Sequence, residues 1–215
     1  MKFLTALPLL AMLAVVGPLA HAQDGKQDDK QDNKQDATQD EWIKPEKAAA
    51  FDKRVFGGPV GDKASACFVR RYDAAHLKQH RKQTVSLMKL LLSAETKAGE
   101  QTSYAYKIGV QFRNKPGDFD GGSFCSHYAD DDGNNIRFSC DVECGGGGLE
   151  VALSKDDKSA IVHLEAIAIW NRKHPDGESD SLQGGTDDKV FRLERVDAKE
   201  CAELIGHQEV ASTQQ

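Results

Sequence analysis

Apolar and polar residues alternate along much of the chain, most clearly over 104–112. Tyr104, Tyr106, Ile108, Val110 and Phe112 are separated by Ala105, Lys107, Gly109 and Gln111. A period of two places one set on a buried face and the other in solvent, which predicts a half-buried strand. Thr84 to Leu92 reads as a strand with a less polar outer face, and Val190 to Val196 as a late one. Ile161 to Trp170 is apolar on both faces, so it predicts one long strand in a central or covered position. The polar stretch from Asn171 to Asp187 reads as a loop.

Turns set the register of two hairpins. Asp132-Gly133 suits a two-residue type I′ turn, because glycine tolerates positive φ. With Asp131 opposite Asn134, Ala129 faces Ile136, His127 faces Phe138 and Cys125 faces Cys140. The other face then carries polar pairs such as Ser126 with Ser139, and a slip by one residue would exchange the two faces. A tight turn at Asp156-Asp157 opposes Leu149 to Leu164, Val151 to Val162 and Leu153 to Ala160. The pattern predicts a mainly β fold: an antiparallel meander of about seven to eight strands forming a barrel or a sandwich. Short helices are expected near 73–80, capped by Asp73, and near 197–205, capped by Asp197 with Glu200 at the capping-box position.

Composition divides the chain. Residues 1–22 join Lys2, an apolar run from Phe3 to Val16, a Gly17-Pro18 break and Ala20-His21-Ala22, the pattern of a signal peptide. Residues 23–41 repeat Gln-Asp every four positions with Ala37 as their one apolar residue, so a disordered tether is expected. Residues 42–63 read as a linker with a short helix over Glu46 to Arg54, 64–207 as a disulfide-containing β-domain, and 208–215 as a disordered tail. The 28 basic and 34 acidic side chains give a net charge of −6, which argues against nucleic acid or an anionic membrane as the main partner. No segment after residue 22 approaches the roughly 20 apolar residues of a membrane span. The expected address is the periplasm or the cell exterior.

That address makes disulfides the default for Cys67, Cys125, Cys140, Cys144 and Cys201. Cys140 and Cys144 on one regular strand would lie roughly 13 Å apart, beyond the reach of a bridge. Cys125–Cys140 fits a narrow cross-strand pair, and Cys67–Cys201 would close the start of the domain onto its end. Cys144 is then the odd cysteine.

Chemistry-bearing patterns are sparse. His76 and His80, at i,i+4 on a short helix, are a candidate metal pair, with His127, His163, Asp73 or Glu165 as a third ligand. An exposed or capping pair is the simpler reading, and no Glu follows His76 as a zinc protease requires. His127, facing inward, reads as a satisfied core histidine. Asp130 to Asn134 fails the ligand positions of a calcium loop, and Gly145 to Gly148 has no phosphate-loop ending and reads as a sharp bend. Arg70-Arg71 with Arg81-Lys82 forms a basic cluster in an acidic chain, either a solvated face or a seat for an anion. No catalytic residue is marked and no cofactor is expected.

Cys67 to Leu77, Ser139 to Gly147 and Asp188 to Leu193 together resemble a group of secreted bacterial proteins with no established activity. The resemblance spans about 64–205 and implies export and domain extent only. The leading expectation is a non-enzymatic binding module for a small apolar ligand or an envelope partner. Tyr104, Tyr106, Ile108, Phe112 and Phe138 would line the cavity, if they do not simply fill a core. The alternatives are a metal-binding protein or metal-dependent hydrolase using His76 and His80, and a purely structural disulfide-closed envelope protein.

Overall fold

The computed structural model describes residues 43–130, 132–141 and 147–205. The leader, tether and tail of the sequence reading lie outside the described residues, as do Asp131 and Cys144. The chain opens with helix α1 (Pro45–Phe56), started by Pro45 and ended by Gly57 at φ 75°, the left-handed position glycine takes without strain. Its buried face, Phe51, Asp52 and Val55, has helical spacing. Phe51 and Val55 belong to the main core, so the stretch read as a linker contributes to the domain.

Eight strands close an antiparallel barrel. Seven follow one another as a meander: β1 (Lys63–Arg71), β2 (Val85–Glu95), β3 (Ser103–Phe112), β4 (Phe119–Ala129), β5 (Ile136–Asp141), β6 (Gly148–Leu153) and β7 (Ser159–Leu164). After β8 (Ala166–Asn171) and β9 (Asp180–Gln183), β10 (Val190–Val196) pairs with both β7 and β1 and completes the ring. Helix α2 (Ala74–Gln79) lies between β1 and β2, and a 3-10 turn (Ala198–Cys201) leads into α3 (Ala202–Ile205).

The two foreseen registers are present. His127 pairs with Phe138 and Ala129 with Ile136; Leu149 pairs with Leu164 and Val151 with Val162. The first turn differs from the type I′ expectation. That turn requires positive φ at both central residues, whereas Gly133 is at φ 63° and Asp157 is the one non-glycine residue at positive φ among those described. Instead the Asp130 carboxylate accepts the backbone N–H of Asn134 and of Asn135 and builds a longer loop on the same register.

The long strand expected from Ile161 to Trp170 is two strands. Inward positions run Ala160, Val162, Leu164, then change parity to Ile167 and Ile169, which is why both faces read as apolar. The break is Glu165: its N–H donates to Gly148 O and its carbonyl accepts from Gly184 N. β8 leaves the barrel wall there and pairs with the start of β4, Phe119 with Asn171 and Asp120 with Trp170. Gly121 permits this approach, since a Cβ there would sit 2.6 Å from Ala168 O. β9, inside the segment read as a loop, is fixed by one buried apolar residue, Leu182, too few for a periodic signal.

Inward residues of all eight barrel strands form one core with Ile167, Ile169 and Leu182. Cys67, Val69, Leu91, Cys201 and Leu204 make a second cluster, pinned by the Cys67–Cys201 bridge with a Cα separation of 6.0 Å. Asp197 caps the 3-10 turn by accepting from Lys199 N. Glu200 does not fold back as a capping box; it pairs with Arg71. Cys125 and Cys140 are also bridged, across paired strands 4.0 Å apart at Cα. Chain-entropy loss in the unfolded state scales with the closed loop. The bridge spanning 134 residues should therefore contribute more than the one spanning 15, about 4–5 against about 3 kcal/mol. Urea titration of the two double Cys→Ala variants measures this, and the larger loss is expected for Cys67/Cys201.

Candidate functional site

Two constellations carry polar chemistry: one under α1, the other on the outside of the barrel. Under α1, the helix places Asp52 beside the inward face of β3 and β4. Asp52 Oδ2 accepts from Tyr104 Oη at 2.6 Å, and Oδ1 lies 2.8 Å from His127 Nε2. Phe51 packs edge-on against His127 and Phe138, which keeps water from the pair. Arg195 secures the end of the helix, donating to Val55 O and Arg54 O while its guanidinium lies over Phe68. Burial, followed by the hydrogen bond to Asp52, holds the Tyr104 phenol well above its ordinary range. Burial alone pushes Tyr106 up to about 12.

His127 is thus the satisfied core histidine of the sequence reading, and Asp52 is the partner that reading missed. Among the described residues His127 has no hydrogen bond to a hydroxyl or thiol that could act as a nucleophile. The Asp52–His127 contact ties α1 to the inward face of β4.

The five candidate lining residues also meet here, as packing. Tyr106, Ile108 and Phe138 are buried in the core, with Tyr104 and Phe112 packed against it. Eight-stranded barrels leave an interior that side chains can fill.

His76 and His80 stack with ring centroids 4.2 Å apart, and Tyr72 stacks on His76 at 4.7 Å. His76 lies in α2, its N–H taken by Asp73, while His80 is the residue after the helix. Buried Gln83 donates its amide to Val85 O, so its carbonyl oxygen accepts from His76 Nε2 at 3.0 Å. The donating Nε2 has no lone pair for a metal, while in the neutral ring Nδ1 keeps one. No group of three or more His, Cys, Asp or Glu suited to a metal occurs among the described residues.

The basic cluster is rearranged. Arg70 lies over Tyr72, Arg71 pairs with Glu200, and Lys82 N–H binds the Asp187 carboxylate. Arg81 instead joins Lys78 and Arg113 around an open groove of about 620 Å³, completed by Ala74, Leu77 and Asn114. Two contacts position it. Arg113 Nη1 donates to Leu77 O at 3.0 Å, and its backbone N–H donates to Thr84 O. Buried Asp188 accepts from both Thr84 N and Thr84 Oγ1 at 2.6 Å, fixing the chain that leads from α2 into β2.

Among the described residues no carboxylate lines this groove, and Lys78, Arg81 and Arg113 have no ion pair. A second groove, about 250 Å³, also holds cations, but each is matched: Arg71 to Glu200, Lys89 to Glu203 and Arg172 to Asp120. Lys78 and Arg113 were not singled out from sequence. The signal for Arg113 is the β2–β3 register, which pairs Val85 with Phe112 and so brings the end of β3 beside α2.

Comparison with known proteins gives no match to a family model, a curated protein or a solved structure.

Replacing Asp52 by Asn removes the charge that both ring donors address, and the stability cost should be about 2–4 kcal/mol by chemical denaturation. The same variant should lower the Tyr104 titration, followed by phenolate absorbance, and leave Tyr106 at about 12. Both phenols have pKa values raised on folding. Their stabilisation is therefore complete below pH 10, the ordinary tyrosine value, and declines as pH climbs from there through about 12 for Tyr106. Alkaline melts should show Tm falling across that window.

Proposed function

We propose that the protein is an exported, non-enzymatic binding module that engages an envelope partner through the groove between α2 and the turn after β3. The observation that carries this reading is the groove's charge: Lys78, Arg81 and Arg113 face one concavity with no acid among its lining residues, in a chain of net charge −6. An acidic protein that leaves three cations without an ion pair among the described residues in one place has a local field opposite to its global one, and such a field selects and steers a partner. Apolar side chains packed through the barrel interior favour an outside surface over a small apolar ligand held within. Export is supported by the signal-like first 22 residues, by two bridges of the kind that persist in oxidising compartments, and by the resemblance to secreted bacterial proteins.

The test is fractionation of cells that export the protein, comparing wild type with Lys78→Glu/Arg81→Glu. Wild type should distribute to the envelope fraction at low salt and leave it as salt rises, since exposed charges are screened within about 10 Å at 0.1 M. Reversal of two charges should reduce envelope-bound protein roughly tenfold or more. Equal distribution of the two proteins overturns the reading.

A further inference from the structure

We infer that the ligand of this groove is a compact phosphate-bearing group, a phosphomonoester or pyrophosphate end rather than a lone carboxylate or a long polyanion. The inference rests on the reading of the groove as the binding surface and assigns its chemistry.

Donor supply is the first argument. A guanidinium carries five N–H donors and an ammonium three. Arg113 commits one to Leu77 O, which orients its plane, and among the described residues the side chains of Arg81 and Lys78 make no hydrogen bond or ion pair. The groove therefore presents a surplus of charged donors and no acceptor carboxylate. Guanidinium forks match the oxygens of phosphate in paired fashion, and lysine adds a point charge.

Charge and size narrow the class. Three cations around a single carboxylate would leave two unmatched, whereas a dianionic phosphate with its several oxygens answers most of that field. The volume of about 620 Å³ lies within the range of small-molecule sites. Ala74 and Leu77 supply an apolar wall, and Asn114 a neutral amide, suited to the carbon skeleton and hydroxyls that carry a phosphate. A long polyanion would extend from the groove across a chain of net charge −6, and repulsion there disfavours it. The phosphate can belong to a free small molecule or to a lipid headgroup, and the two sources are separable by experiment.

The experiment titrates the oxidised, full mature chain calorimetrically with inorganic pyrophosphate, glycerol 3-phosphate and acetate. In parallel, phosphatidylcholine vesicles with and without phosphatidic acid are floated with the protein. Saturable 1:1 binding of the phosphate probes is expected, with acetate at least tenfold weaker. The Lys78→Gln/Arg81→Gln variant should weaken phosphate binding at least tenfold. These two side chains hold no element of the fold, and an unchanged melting curve verifies that. Arg113→Lys keeps the charge but loses the fork, and should weaken binding about tenfold as well. Flotation only with phosphatidic acid, lost in the double variant, identifies a lipid headgroup; soluble binding without flotation identifies a free phosphate compound. Absence of saturable binding to every phosphate probe, or binding unchanged in the double variant, overturns the assignment. If envelope retention still depends on Lys78 and Arg81 in that case, the phosphate chemistry falls and the groove remains the binding surface. If retention is also unchanged, both fall together.

Discussion

The double pairing of β10 is the constraint from which the rest of the structure follows. One edge of this strand takes β7 and the other takes β1, and with that the meander has no open edge. Phe191 and Leu193 point into the interior, and closure commits the alternate residues of every other strand to the same space. The strand also organises what lies outside the ring. Arg195 caps α1, Cys201 beyond the strand's end is tied to Cys67 on its neighbour, and Asp188 just before it holds the start of β2. A single strand thus sets the helix that brings Asp52 to His127 and the chain segment that presents Arg81.

Closure also separates the two polar constellations by role. Under α1, donors and acceptor match: one carboxylate takes a phenol and an imidazole, and aromatic rings surround them. Burial rewards such a match, because an unpaired member would carry the full cost of lost hydration. On the outside the groove leaves cations without an ion pair among the described residues, which solvent permits and a core would not. Unmatched exposed charge contributes little to holding the fold, so its placement is free to answer to a partner.

Local features of this chain are legible because their cause is local. The hairpin between β4 and β5 is set by the alternation around Ala129 and Ile136, and the same holds for Leu149 against Leu164; disulfide geometry then follows for Cys125 and Cys140. The turn itself escaped, since Asp130 competes for the backbone N–H groups that a two-residue turn would leave to the ladder. The break at Glu165 was present in the sequence as a parity change between Leu164 and Ile167, but alternation that changes phase imitates a strand buried on both faces. Asp52 could not be read at all. Its partners are 52 and 75 residues away, and nothing near it in sequence distinguishes it from any solvated helix acid.

The groove shows the same limit in its electrostatics. Two pairs of adjacent basic residues, Arg70-Arg71 and Arg81-Lys82, look like one patch, yet β-structure sends neighbours to opposite faces, and Arg70 and Arg71 find different partners. Lys82 is held through its backbone N–H, and Arg81 is the one of the four that lines the groove, joined by Lys78 three positions earlier and by Arg113 through the β2–β3 register. Composition alone gives an acidic chain that should avoid anions. Among the described residues the fold reverses that sign over one concavity, which no carboxylate lines, and the proposed preference for a small, highly charged group follows from that arrangement. A compact anion placed there would contact only the reversed region, while a longer one would meet the rest of the chain.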